Sequence, residues 1–96
     1  MLFRFVDDVD EERVAALAAG LGTMPAATGA VAPDRYRHGR ALVLNAGSWD
    51  YAVVAEFDSA DAYATYRDHP EHRALIRDLA TPIVAERCSV QFELPA

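Results

Sequence analysis

Apolar positions recur along the chain with two different periods, and the changes of period mark its elements. Leu2 to Val6 is short, apolar and aromatic and stops at Asp7-Asp8, the pattern of a first strand with Phe3 and Phe5 opposite Leu2 and Val6. Val14, Leu17, Ala18 and Leu21 then fall at helical spacing and predict a helix over residues 10–21. Asp8 or Asp10 would cap it, and Glu11 and Glu12 suit its positive end. Gly20 and Gly22 mark its expected stop, and Pro25, Gly29 and Pro33 make Thr23 to Pro33 a loop. A second strand is expected over residues 34–40, with Tyr36 and His38 on one face, followed by a connection punctuated by Asn45, Gly47 and Ser48. Residues 50–57 (DYAVVAEF) form the clearest strand, with Tyr51, Val53, Ala55 and Phe57 on one side and Ala52 and Val54 on the other.

Asp58 and Ser59 are helix N-cap types, and Ala62, Tyr63 and Tyr66 begin a second helical stripe. Pro70 disfavours helical backbone at His69, so this stripe stops near Asp68. Pro70 itself suits the first turn of a further helix carrying Leu75, Ile76 and Leu79. Pro82 sets off a last helical turn around Ile83 and Val84. Residues 87–94 (RCSVQFEL) alternate strictly and predict a closing strand, with Cys88, Val90, Phe92 and Leu94 inward and Arg87, Ser89, Gln91 and Glu93 outward. The order β-α-β-β-α-β predicts a single α+β domain over residues 1–96, a ferredoxin-like four-stranded antiparallel sheet with helices on one face.

Helices on one face leave the other face to be explained. The third strand is apolar on both sides, and a wet outer face would expose an apolar patch of several hundred Å², which monomers rarely carry. A chain of 96 residues folding alone hides only about 60–65% of its unfolded surface. Burying about 1,000 Å² between two copies is worth on the order of 25 kcal/mol before association costs. A homodimer is therefore expected in preference to a monomer whose loop folds over the sheet.

Composition mainly excludes. With 52% hydrophobic and 25% charged residues the chain reads as ordinary and globular. Nine basic against 15 acidic side chains give a net charge of -6, the wrong sign for nucleic acid or an anionic membrane. Residues 14–33 carry no charge, but three glycines and Pro25 make them a poor membrane span, and the acidic Asp7-Asp8 interrupts any signal-peptide pattern. The lone Cys88 excludes an internal disulfide, and the expected location is cytoplasmic.

Candidate chemistry concentrates in Tyr66-Arg67-Asp68-His69-Pro70-Glu71-His72. His69 falls at an N-cap and His72 in the following first turn, where the helix's positive end disfavours imidazolium and leaves His72 able to accept a proton. The break at His69-Pro70 would let the Tyr66 hydroxyl converge on His72, so that the pair abstracts a proton alpha to a carbonyl and holds the enolate. In the plainer alternative His69 caps a helix and His72 packs a turn. Tyr63, Tyr66, Trp49, Tyr51 and Phe57 would give a cleft between sheet and helices an apolar, aromatic wall for a small apolar ligand, or else pack the core. Tyr63, His69 and Trp49 are the expected ligand contacts. His38, His69 and His72 match no zinc spacing, so no metal is expected. No cofactor fingerprint or phosphate loop is present and no cofactor is expected, while Arg35, Arg37 and Arg40 read as a solvated strand face.

Several of these segments together resemble the stress-responsive A/B barrel (Dabb) family. The marks are Leu2-Phe3-Arg4-Phe5, the acid-capped helix near Asp10, Tyr51 to Phe57, the Tyr66 to His72 motif and Val90-Gln91-Phe92-Glu93. The resemblance implies two ferredoxin-like subunits packed sheet against sheet into a dimeric α+β barrel. One plant branch of the family, the olivetolic acid cyclase type, closes a linear polyketide by aldol condensation with a tyrosine and a histidine of this motif. The matching positions are Tyr66 and His72. That branch also uses a first-strand histidine, where this chain has only Met1, Leu2 and Arg4. The resemblance thus implies a cofactor-free cyclase or lyase acting on an apolar carbonyl compound. Its alternatives are a non-catalytic, stress-associated ligand-binding dimer and a cofactor-independent monooxygenase of a related branch.

Overall fold

A computed structural model describes residues 1–95; Ala96, part of the expected domain, lies outside the described residues. The elements are β1 (Leu2–Phe5), α1 (Glu11–Thr28), β2 (Tyr36–Arg40), β3 (Tyr51–Ala55), α2 (Ala60–Asp68), α3 (Pro70–Leu75) and β4 (Val84–Cys88). The strands form one antiparallel sheet in the order β2-β3-β1-β4, the ferredoxin-like arrangement read from the sequence. Phe3 and Phe5 of β1 face the helices and join Leu17 and Leu21 of α1, Leu75 of α3 and Ile83 in one core. Removing those side chains from water is the main driving force for docking the helices on the sheet.

The first helix is longer than its expected end at Leu21. Its apolar stripe continues through Met24 and Pro25, both buried, so packing carries the helix past the glycines to Thr28. Gly29, at φ 63° in the left-handed region, closes it with its N–H on the Pro25 carbonyl at 2.9 Å. Asp10 is the N-cap, accepting the Glu12 N–H at 2.9 Å. Gly20 permits a close crossing and does not end the helix. A Cβ there would lie 2.7 Å from Leu79 Cδ1 and 3.1 Å from Leu75 Cδ1.

The strands are trimmed at their ends. Pro33–Arg35 is a 3-10 turn that delays β2 to Tyr36. Asp50 stays outside β3 and accepts the Phe5 N–H at 2.8 Å, while Phe57 leaves it to pack on Tyr63 and Tyr66.

The closing strand differs most from its expectation. After α3 a π turn, Ile76–Ala80, holds Thr81 N–H on the Ile76 carbonyl at 2.8 Å. Val84 then already belongs to β4, in place of the expected helical turn. β4 ends at Cys88, well short of Leu94. A bulge opposite Arg4 and Phe5 inverts the expected alternation: Phe3 pairs with Arg87 and Leu2 with Cys88. Directly paired residues share a face, so Arg87 projects to the helix side and Cys88 to the other. Cys88 is exposed, and so are Val90 (78%), Phe92 (75%) and Leu94, all expected inside. Leu2, Val6 and Val54 on the outer side, and Leu42 and Leu44 in the β2–β3 connection, are likewise exposed. Among the described residues no helix is long and apolar enough to cross a membrane.

The close crossing at Gly20 is testable. Gly20→Val should lower the unfolding free energy by about 1–3 kcal/mol through overpacking against Leu75 and Leu79. Chemical denaturation reads this directly, and an unchanged or raised midpoint would contradict the crossing.

Candidate functional site

Ser59 opens α2 by accepting the Ala62 N–H at 3.0 Å, and the helix stops at Asp68 because His69 is extended (φ -63°, ψ 136°) ahead of Pro70. His69 serves both helices, ending α2 and capping α3, where its Nδ1 accepts the Glu71 N–H at 3.1 Å. Its ring is therefore used in backbone capping.

The change of direction at His69 brings His72 back against α2. His72 is 7% exposed, and its ring centroid lies 4.3 Å from that of Tyr66, with the planes at 43°. His72 Nδ1 lies 3.1 Å from the Arg67 carbonyl oxygen. A carbonyl can only accept, so Nδ1 carries the hydrogen and donates it, which leaves the lone pair of neutral His72 on Nε2. Burial holds the His72 pKa below its ordinary value, the Arg67 bond opposes that, and the Arg87 charge adds to the lowering. The ring is thereby kept neutral near pH 7.

Tyr66 meets His72 through its ring, while its hydroxyl is engaged elsewhere. That hydroxyl lies 2.8 Å from the Tyr36 hydroxyl in the interior. Burial and the Tyr36 bond push the Tyr66 pKa far up, so its phenol stays protonated. Tyr36 leads on to His38, whose Nδ1 lies 2.6 Å from the Tyr51 hydroxyl. A chain of aromatic and hydroxyl contacts thus runs from His72 across the inner face of β2 and β3.

Beside His72 a cleft of about 810 Å³ opens between α2, α3, the π turn and the edge strand β4. It is open to solvent, with the volume of a small organic molecule. Tyr63 and His72 line it, but Tyr66 and His69 are not among its lining residues. Trp49 is not there either: it lies beneath the Arg4 guanidinium, 4.5 Å away, beside β1's outward-facing Arg4. The aromatic wall expected for this cleft is therefore reduced to Tyr63. Arginines take its place, Arg67, Arg73, Arg77 and Arg87, together with Ile76 and Thr81. The sequence held a signal for them, since Arg73 and Arg77 are four apart on one helical face and the chain has no lysine. Among the described residues, no three His, Cys, Asp or Glu side chains gather where a metal ion could be held.

The neutral, buried His72 links stability to pH. Its folded pKa is lowered, so the folded state binds fewer protons than the unfolded chain once the pH drops below about 6.5. Its contribution is full above that pH and is lost as the pH falls toward the folded value. Denaturation midpoints should therefore decline between pH 7 and 5.5, with a shallower decline in His72→Gln, whose amide can still donate to the Arg67 carbonyl. Equal slopes in the two proteins would contradict the assignment.

Comparison with known proteins places this arrangement. The model of the stress responsive A/B barrel domain matches residues 1–94. A dimeric ferredoxin-like protein of unknown function from Thermobifida fusca superposes with a TM-score of 0.84 at 40% identity, over 97% of this chain and 85% of that one. A dimeric protein of unknown function and ferredoxin-like fold from Bacteroides fragilis gives 0.74 at 26% identity, over 97% and 90%. A Dabb family protein with a ferredoxin-like fold from Mesorhizobium loti gives 0.70 at 21% identity, over 88% and 82%. No curated protein matches the sequence. With the domain model spanning nearly its whole length, the chain belongs to the Dabb, or stress responsive A/B barrel domain, family.

Proposed function

We propose that this chain works as a homodimer whose cleft takes a small carbonyl compound, with His72 as the base that removes a proton alpha to the carbonyl. The observation that carries this reading is the bond from His72 Nδ1 to the Arg67 carbonyl, made by a residue that borders the cleft. It directs the basic lone pair to Nε2 and fixes the ring's orientation. In the step, Nε2 takes the proton, the C–H electron pair becomes the new C=C bond, and the carbonyl π electrons move onto oxygen. The resulting enolate is stabilised by the positive charge along the cleft wall, and it is then free to attack a second carbonyl or to take back a proton. No cofactor is required by this route.

Tyr66 enters as a positioning residue. Its ring packs on the imidazole, and its hydroxyl, tied to Tyr36, holds that ring in place. His69 caps α3 and Trp49 lies away from the cleft, so neither contacts the ligand in this reading. The Tyr66–Tyr36 bond also favours a second reading, a non-catalytic ligand-binding dimer, since the hydroxyl expected to polarise a carbonyl is already engaged.

The dimer reading rests on the exposed apolar set, Leu2 and Val54 on the outer face with Val90, Phe92 and Leu94 in the segment after β4. A second copy would cover it, and the Thermobifida fusca and Bacteroides fragilis relatives are both described as dimeric. Two chains of 10.5 kDa should scatter light as a particle of about 21 kDa, and Val54→Asp should shift the equilibrium toward the single chain. A monomer at every concentration would overturn the dimer.

Proton abstraction is tested in D2O with acetoacetate, 2,4-pentanedione and a longer aryl 1,3-diketone, following loss of the α-proton signals by NMR. The protein should accelerate exchange of at least one of them, and His72→Gln should lose about 100-fold or more of that acceleration while keeping its circular dichroism. Exchange indifferent to His72 would remove it from the mechanism, and no exchange with any of the three would favour the binding-only reading.

A further inference from the structure

The cleft beside His72 carries four of the chain's nine arginines and, among the described residues, no aspartate or glutamate. The molecule has 15 acidic side chains and a net charge of -6, so this concave surface runs against its overall balance. Such a surface concentrates anions wherever its guanidiniums are not already paired.

The four guanidiniums are not equivalent. Arg67 grips the Asp68 carboxylate at both oxygens, at 3.0 and 2.9 Å. Arg77 does the same with Asp78, at 2.8 and 3.1 Å. Arg73 stands 3.6 Å from Asp68. Among the described residues Arg87 has no carboxylate within 4.0 Å. Its place is also unusual for its chemistry. Arg87 is paired with the fully buried Phe3, so it stands on the side of the sheet that elsewhere carries the apolar core. At the edge strand no helix covers that side, and the cleft opens there instead. A packing role would favour an apolar side chain at this position; an open guanidinium fork in a cleft favours a planar anion.

We infer that the cleft takes a carboxylate-bearing small molecule, with the carboxylate on Arg87 and the apolar body on Tyr63 and Ile76 alongside His72. One open fork matches one planar carboxylate bidentately, whereas a phosphate group offers three oxygens and calls for several open donors converging on it. The inference deepens the proposed function and rests on its choice of ligand cleft. It narrows the substrate class to carbonyl compounds that carry an acid group. Bound in this way, the carboxylate would also neutralise the Arg87 charge that otherwise disfavours a proton on His72.

The probe pair is 4-phenylbutanoate and its neutral amide, 4-phenylbutanamide, titrated into the full chain by NMR, with inorganic phosphate as a competitor. The acid should bind at least tenfold more tightly than the amide and shift the His72 ring signals. Arg87→Gln should weaken the acid at least tenfold and leave the amide unchanged, and Arg13→Gln, a charge removed from the exposed side of α1, should change neither. Equal binding of acid and amide, insensitivity to Arg87→Gln, no binding of the acid to the parent protein, or displacement by lower concentrations of phosphate than of the acid would each overturn the inference. The two proposals fail separately. Acid binding that depends on Arg87 without α-proton exchange supports this inference and sinks the base chemistry. Exchange of acetoacetate that depends on His72 but survives Arg87→Gln does the reverse.

Discussion

Pro70 excludes helical backbone at the residue before it, and the geometry of the site follows from that steric constraint. With His69 extended, the helical segment that would have run on from α2 breaks and starts again in a new direction. The imidazole of His69 is used to cap the restart. Only because α3 folds back can His72 lie on the Tyr66 ring and reach the Arg67 carbonyl, an acceptor in the last turn of the preceding helix. On an uninterrupted helix Tyr66 and His72, six residues apart, would point in directions about 120° from one another. The His-Pro element is therefore a hinge of fixed angle that turns two residues of a linear motif into neighbours.

A second irregularity shapes the opposite wall. The bulge beside Arg4 and Phe5 gives β4 one additional residue and reverses which side of the sheet its later side chains face. Arg87 thereby arrives on the helix side at an edge that no helix covers. The cleft is the space between a helix pair bent by proline and a strand rephased by a bulge. Both irregularities place polar side chains where a regular ferredoxin-like layer would bury apolar ones.

Much of this was legible in the sequence. The six-element order, the cap at Ser59, the break at His69-Pro70 and the apolar outer side of β3 all follow from local rules of period and backbone preference. What was hidden depended on tertiary contact. Gly20 and Gly22 read as a helix end because local sequence does not show what packs on them; at Gly20 the missing Cβ is the condition for packing against Leu75 and Leu79. The strict alternation of residues 87–94 suggested a regular strand, and no local pattern announces a bulge that inverts its phase. Tyr66 and His72 meet at the break through their rings, but the Tyr66 hydroxyl, expected to converge on His72, bonds Tyr36 instead, a partner 30 residues away that only the fold brings near. Trp49 looked like cleft lining because an aromatic side chain does not declare which face of a sheet it will take. The arginines gather only in the fold, since α2, α3, the π turn and β4 each supply one to the cleft.

The chemistry of the site turns on one ring: a neutral His72, bound through Nδ1–H to the Arg67 carbonyl, with Nε2 unprotonated. Long-range proton–nitrogen correlation NMR on uniformly labelled protein reads both ring nitrogens of each histidine directly. At pH 7 His72 should show a protonated Nδ1 and a bare Nε2. An Nε2–H tautomer, or an imidazolium at that pH, would contradict it.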